Sequence, residues 1–278
     1  MRVNLTMLLF VDITRIKRTG LAMIFFSMVG MFFLTTEARA TSKPSVAELA
    51  AITERGRMLA EYDTAAWQAT DALMAAHPKT QPSGRYIAHK TLTGWVVDFG
   101  RLNASEDKFL VAYEAIQAGG QYTVKSFDPA REDTGWNLAA TKGIEAAMRD
   151  FGKADRPYNV AVLPAAKDSL YVYLYPAQVK AGVYPLGADI RYRFSSDGTK
   201  IVEKRPLHRT IIEYAAPVGA AEKAASGYHT HVLTNLPEDT DVLLVLTRRP
   251  RVPEFVGVGA YMYTIGVDGA ITVADRPK

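Results

Sequence analysis

The sequence predicts an α+β protein in which a long N-terminal helix and a second helix pack on a mostly antiparallel β-sheet. Three observations predict this class. Apolar residues recur at helical spacing over residues 45–76, a second helical pattern covers 135–151, and short strand-like segments follow one another from residue 158 to the end. Because helices and strands are segregated and do not alternate, the pattern favours α+β over α/β.

The first helix is predicted from its start signal and its apolar stripe. Ser45 and Glu48 have the spacing of a capping box, which satisfies two free N–H groups at a helix start. His77 precedes a proline and is therefore expected to end the helix. The stripe that the helix would bury is Leu49, Ile52, Leu59, Tyr62, Ala66 and Leu73.

Strands are predicted on both sides of the second helix. Three antiparallel strands are expected at 85–91, 94–102 and 108–116, and the second helix is expected to run from Gly135 to Phe151. Asp197-Gly198 and Asp268-Gly269 have the composition of tight hairpin turns. The other strands are expected at 158–164, 169–179, 189–205, 208–214, 227–233, 241–250 and 260–274.

The first forty residues have the pattern of a cleavable signal peptide. A basic cluster precedes an apolar run at 21–34, and Ala38 and Ala40 have the small-x-small arrangement of a cleavage site. Fourteen apolar residues are fewer than the about 20 that a spanning helix needs. We therefore expect cleavage after Ala40, no integral membrane span afterwards, and export to the periplasm or the exterior. An uncleaved anchor is the alternative.

The remaining residues, 41–278, are expected to form one α+β domain, with a subdivision near residue 155 as the alternative. The chain has no cysteine, which excludes disulfides, thiol catalysis and cysteine-ligated zinc. Its net charge of +4 lies mostly in the predicted leader, so the rest is nearly neutral. Without a dense basic stripe we expect no nucleic-acid partner, whereas a peptide or protein partner stays open.

The stretch "GYHTHVLTNLPEDTD", residues 227–241, combines two histidines with a following acidic turn. Side chains at i and i+2 of a strand point to the same face, so His229 and His231 are expected to project side by side. Two imidazoles can ligate one divalent ion, and zinc accepts such nitrogen ligands. The turn offers Glu238, Asp239 and Asp241 as further donors or as a base.

This stretch resembles the signature of the JAMM (MPN/JAB) metalloproteases. The pair matches the His-x-His of that family, Pro237 its proline, and Asp241 the aspartate that is its third zinc ligand. The resemblance implies hydrolysis of a peptide or isopeptide bond by zinc-bound water. Glu238 replaces the serine of the family.

The family's glutamate base normally lies upstream of the histidines. Glu203 and Glu213 are the residues that could take that role here.

Two further interpretations stay open. His208 begins a predicted strand just upstream, and with the pair it would give a three-histidine site in a metal-carrying protein. In the other interpretation the histidines pack on a sheet face, bonded to Asp239, Asp241 or water. The chain is then a non-catalytic envelope protein whose sheet contacts another protein or cell-wall material.

Overall fold

The computed structural model describes residues 43–77, 84–216 and 225–276. The predicted signal peptide, residues 1–40, lies outside them. The described chain is α+β, with three helices and 14 strands in mostly antiparallel sheets. The helices are α1 (Val46–Ala76), α2 (Trp136–Phe151) and α3 (Asp239–Thr247).

The strands form four sheets, three of four strands and one of two. The strand order is β1-β2-β3-β4 in the first sheet, β5-β6-β8-β9 in the second, β10-β7 in the third and β11-β12-β13-β14 in the fourth. Their bounds are β1 (Arg85–Lys90), β2 (Trp95–Leu102), β3 (Phe109–Ala118), β4 (Gln121–Asp133), β5 (Tyr158–Ala165), β6 (Ser169–Pro176), β7 (Val183–Gly187), β8 (Ile190–Phe194), β9 (Ile201–Pro206), β10 (Ile211–Ala215), β11 (Gly227–Thr230), β12 (Glu254–Val258), β13 (Tyr261–Ile265) and β14 (Ile271–Asp275).

The first helix is confirmed with its cap. The Ser45 hydroxyl accepts the N–H of Glu48, the Glu48 carboxylate accepts the N–H of Ser45, and the helix ends at His77. The whole predicted stripe is buried: Leu49, Ile52, Leu59, Tyr62, Ala66 and Leu73. Most of it packs on the first and second sheets, whereas Leu49 and Ile52 pack on the fourth. One core cluster therefore combines residues from both sides of residue 155.

The strand predicted at 241–250 is wrong, because this segment forms α3. Its run of aliphatic residues has no period that separates strand from helix, and Val242 to Val245 are all buried. The helix packs closely on α1 at Gly56, where a Cβ would lie only 2.7 Å from the carbonyl oxygen of Asp239. The expected acidic turn is thus the start of a buried helix.

The strands β4 and β7 were not predicted. Among the pairs within the four sheets, β11 and β12 are parallel and the others antiparallel. The parallel pair sets His229 beside Val256 and directs the end of β11 toward the start of α3. This junction, together with the connector between β9 and β10, forms the candidate site.

None of the helices in the described ranges is both long enough and apolar enough to cross a membrane.

Candidate metal centre

Four side chains from three segments converge at one point. His229 lies in β11, His231 follows its last residue, Asp241 lies in the first turn of α3, and His208 lies in the connector between β9 and β10. One donor atom from each lies within 4.8 Å of every other, so this group can hold a metal ion. The side chains of His229, His231 and Asp241 are almost fully buried, and that of His208 is 9% exposed.

The distances between donors have the scale of a coordination sphere. His231 Nε2 lies 3.0 Å from His208 Nε2 and 3.1 Å from His229 Nε2. The Oδ1 atom of Asp241 lies 3.0 Å from His208 Nε2 and 3.1 Å from His229 Nε2. A tetrahedral zinc ion with bonds near 2.05 Å separates its ligand atoms by about 3.3 Å. These four distances are therefore a few tenths of an ångström shorter than in such a tetrahedron.

Each histidine is oriented through its other ring nitrogen. Nδ1 of His208 lies 2.8 Å from Asp189 Oδ1, Nδ1 of His229 lies 2.9 Å from Glu254 Oε1, and Nδ1 of His231 lies 2.8 Å from the Leu236 carbonyl oxygen. Carboxylate and carbonyl oxygens accept hydrogen bonds, so each Nδ1 carries the proton. A neutral ring then has its lone pair on Nε2, which is the arrangement that metal-binding histidines show.

These lone pairs face one another. Three Nε2 atoms and one carboxylate oxygen are acceptors, and acceptors packed at about 3 Å repel unless a positive charge lies between them. A proton on an imidazole or a metal ion can supply that charge. The group is therefore built around a cation.

The pKa values of these side chains show how strongly the group favours a positive charge. Burial lowers the pKa of His208, but the carboxylates of Asp241 and Asp189 outweigh burial and raise it to about 11. Burial also opposes protonation of His229, yet Asp241 and Glu254 raise its pKa to about 9. Burial raises the pKa of Asp241, but His208 and His231 hold it well below its usual range. The site favours positive charge strongly.

The surrounding charges balance for a divalent ion. Four carboxylates lie in or beside the group, those of Asp189, Glu238, Asp241 and Glu254. Arg205 pairs with Glu238 and Arg248 with Glu254, both at 2.7 Å. Two negative charges remain, on Asp189 and Asp241. Either one divalent cation or protons on two of the imidazoles would neutralise both.

Asp239, a predicted ligand, lies outside the group. Its carboxylate accepts hydrogen bonds from Arg55, Arg191 and the Tyr173 hydroxyl. Two residues along a helix are about 200° apart, so Asp239 and Asp241 face different neighbours. The structure thus assembles four of the five predicted ligands: His208, His229, His231 and Asp241.

The three candidate bases have separate surroundings. Glu203 pairs with Arg193 on the second sheet, and Glu213 pairs with Arg156 while about half exposed. Only Glu238 adjoins the group, because its backbone N–H donates to Asp241 Oδ2. Burial raises the pKa of the Glu238 carboxyl to about 7.

Asp189 and Glu254 are the functional residues that the sequence interpretation missed. Asp189 precedes His208 by 19 residues and Glu254 follows His229 by 25. No local spacing connects them to the histidines. Glu254 becomes visible only through the pairing of β12 with β11, which places it opposite Gly227.

Comparisons of the chain with protein families, curated proteins and solved structures found no match. The resemblance of residues 227–241 to the JAMM metalloproteases stays a prediction. The geometry of His208, His229, His231 and Asp241 carries the functional argument.

Proposed function

We propose that this chain is an exported, non-catalytic zinc-binding protein in which His208, His229, His231 and Asp241 hold the ion in a closed site. The observation that carries the proposal is the orientation of the three histidines. Each Nδ1 donates to an oxygen, and each Nε2 faces Asp241 and another imidazole. Export is inferred from the leader pattern of residues 1–40.

Zinc fits the donor set better than other common ions. Imidazole nitrogens suit zinc, copper, iron and nickel, whereas magnesium and calcium prefer an all-oxygen shell. Zinc has no geometric preference of its own and accepts four ligands in a tetrahedron. Three imidazoles and one carboxylate, whose donor atoms all lie within 4.8 Å of one another, supply four such ligands.

A closed site favours retention of the ion over hydrolysis. Structural zinc sites use four protein ligands, whereas catalytic sites use three and leave a position for water. Here His208 takes the fourth position. Two cavities within the described residues, of ≈ 450 and ≈ 220 Å³, are lined by other side chains. The ion would join the β9–β10 connector, β11 and α3.

Metal content tests the proposal. The chain lacking residues 1–40 is purified without a metal-affinity tag, and bound zinc, manganese, nickel, copper and iron are quantified. We expect about one zinc per chain in the wild type and in a His77→Ala control, and almost none in His229→Ala/His231→Ala. Absence of metal from the wild type after zinc is added back would overturn the proposal.

Hydrolysis of the JAMM type is the second candidate, and Glu238 favours it. Burial raises the pKa of the Glu238 carboxyl to about 7, which suits a general base, and the backbone N–H of Glu238 contacts the ligand Asp241. Cobalt(II) substitution separates the two candidates, because a four-ligand tetrahedral site absorbs visible light more strongly than a five-coordinate site with water. We expect the tetrahedral spectrum and no cleavage of peptide or isopeptide substrates. Cleavage that Glu238→Gln abolishes would establish the hydrolase.

A further inference from the structure

A second polar cluster, which shares no residue with the metal group, lies on the face of the first sheet that turns toward α2. A pocket of ≈ 220 Å³ is lined by His89 of β1, Asp98 of β2, Glu114 of β3, Arg131 of β4, and Trp136 and Asn137 of α2. Asp98 is paired with Glu114 across β2 and β3, so both carboxylates point to the same face. All four strands of the sheet contribute to this pocket.

The pocket is acidic. Asp133 also lines it, so three carboxylates accompany one guanidinium, that of Arg131. Arg131 bridges Asp98 at 3.0 Å and Glu114 at 2.8 Å. Asp133 accepts the N–H of Gly135, which precedes α2, and the N-terminus of this helix, equivalent to about half a positive charge, offsets only part of the remaining excess. Burial raises the pKa of Asp98, so a second cation beside it would stabilise its ionised form.

Several buried polar atoms of the pocket lack a hydrogen-bond partner within the described ranges. Asn137 is 2% exposed, and although its Nδ2 donates to Asp98 Oδ2 at 2.7 Å, its Oδ1 accepts from no described residue. The same holds for Trp136 Nε1, Arg131 Nε and His89 Nδ1. Buried polar groups are normally paired, since an unpaired one loses its hydrogen bond to water without replacement. These atoms therefore offer one acceptor and at least two donors to a ligand.

The polar atoms are spread over the pocket. Among the described residues, the group around Asp241 is the one whose donor atoms converge closely enough for a metal ion. Separated carboxylates and N–H donors suit a molecule that carries a positive group at one position and oxygen acceptors at another. The volume lies below the about 300–1,000 Å³ of pockets for drug-sized ligands, so the molecule is small.

We propose that this pocket binds a small organic amine that carries hydroxyl or carbonyl oxygens. Its ammonium group lies against Asp98 and Glu114 and donates to Asn137 Oδ1, and its oxygen atoms accept from Trp136 Nε1 and Arg131 Nε. An indole face beside an ammonium group adds a cation–π attraction. The proposal does not rest on the metal site.

An NMR titration with matched pairs of small molecules tests this inference. The protein is expressed from the full sequence, labelled with ¹⁵N and supplied with zinc. Glucosamine is compared with glucose, and ethanolamine with ethylene glycol, since each pair differs in replacement of an amine by a hydroxyl. The reporter is the Trp136 Nε1–H resonance, identified by its loss in Trp136→Phe. We expect saturable shifts with both amines and at least tenfold weaker binding of the neutral partners. Equal binding within each pair, or no shift with either amine, would overturn the proposal.

Variants locate the binding. Asp98→Asn is expected to weaken amine binding at least tenfold, whereas Glu132→Gln, on the same strand as Arg131 but on the other face, should change it less than twofold. If Asp98→Asn does not fold, the partly exposed Glu114 provides the decisive variant, because Glu114→Gln should weaken binding at least threefold. Unchanged affinity in Glu114→Gln would contradict the assigned position of the ammonium group.

Discussion

Asp239 and Asp241 lie two residues apart in the first turn of α3, and both are fully buried, yet their surroundings differ in kind. Asp239 faces α1 and the second sheet, where Arg55 and Arg191 supply two permanent positive charges. Asp241 faces three imidazoles, which are neutral unless they bind a proton. The first carboxylate is compensated by permanently charged side chains, whereas the second is compensated only when the imidazoles bind a proton or a metal ion.

This comparison separates a structural ion-pair cluster from a binding site. Removal of the Asp239 carboxylate leaves the guanidinium charges of Arg55 and Arg191 unpaired in a medium of low dielectric constant. Removal of Asp241 instead relieves part of the negative excess while abolishing a ligand. Variants of the two residues should therefore act on different quantities.

The largest expected effect on stability belongs to Asp239→Asn. This change leaves Arg191, which is only 6% exposed, and Arg55 without their carboxylate. We expect the free energy of unfolding to fall by about 3–5 kcal/mol, measured by urea denaturation in the presence of a chelator. Zinc content per folded chain should match the wild type. A change below 1 kcal/mol would show that water compensates the two guanidinium groups.

Asp241→Asn should lose the metal and keep the fold. The asparagine oxygen can still accept the Glu238 N–H that now reaches Asp241 Oδ2 at 2.7 Å. With free zinc at 100 to 1,000 times the dissociation constant, the wild type gains about 2.7–4.1 kcal/mol that the variant does not gain. Paired denaturation curves with zinc and with chelator measure the difference. An equal response of both proteins to zinc would remove Asp241 from the site.

Much of the fold could be predicted from local signals. These signals are the capping box at Ser45, the helical stripe that follows it, and the Asp-Gly turns at 197–198 and 268–269. Each depends on interactions between residues close in sequence, so each could be predicted without knowledge of tertiary contacts. The second helix was predicted at Gly135–Phe151 and is observed at Trp136–Phe151. The segment 241–250 failed because a helix buried on several sides has the same aliphatic composition as a buried strand.

The candidate site was predictable only in its local part. The local part consists of His229, His231 and Asp241, which lie close in sequence. His208 could be named as a further donor because it begins a predicted strand just upstream of the histidine pair. The difference between Asp239 and Asp241 could not be predicted, because it depends on which side of α3 meets α1. Asp189 and Glu254 depend likewise on strand contacts that no local pattern encodes.

Asp189→Asn tests whether orientation of His208 contributes to zinc affinity. An asparagine oxygen still accepts from Nδ1 but loses the charge that makes the imidazole a stronger ligand. We expect zinc affinity to fall about 10- to 100-fold, measured by competition with a chromophoric chelator. The same change in Glu254 would also disturb its buried pair with Arg248, so Asp189 gives the cleaner measurement. Unaltered affinity would mean that the charge of Asp189 does not strengthen His208 as a ligand.

The smallest effects are expected for Glu203→Gln and Glu213→Gln. Both side chains form ion pairs at the surface, 40% and 54% exposed, and such pairs contribute about 0–1 kcal/mol. Zinc affinity should stay within twofold of the wild type in each variant, because neither carboxylate contacts the four ligands or the residues that orient them. The same competition assay compares these zinc affinities with that of Asp189→Asn. The comparison separates a carboxylate that contacts a metal ligand from carboxylates that form ion pairs only at the surface. A tenfold loss of zinc affinity in Glu203→Gln or Glu213→Gln would show that the residue belongs to the candidate site. It would also weaken the contrast between the surroundings of Asp239 and Asp241.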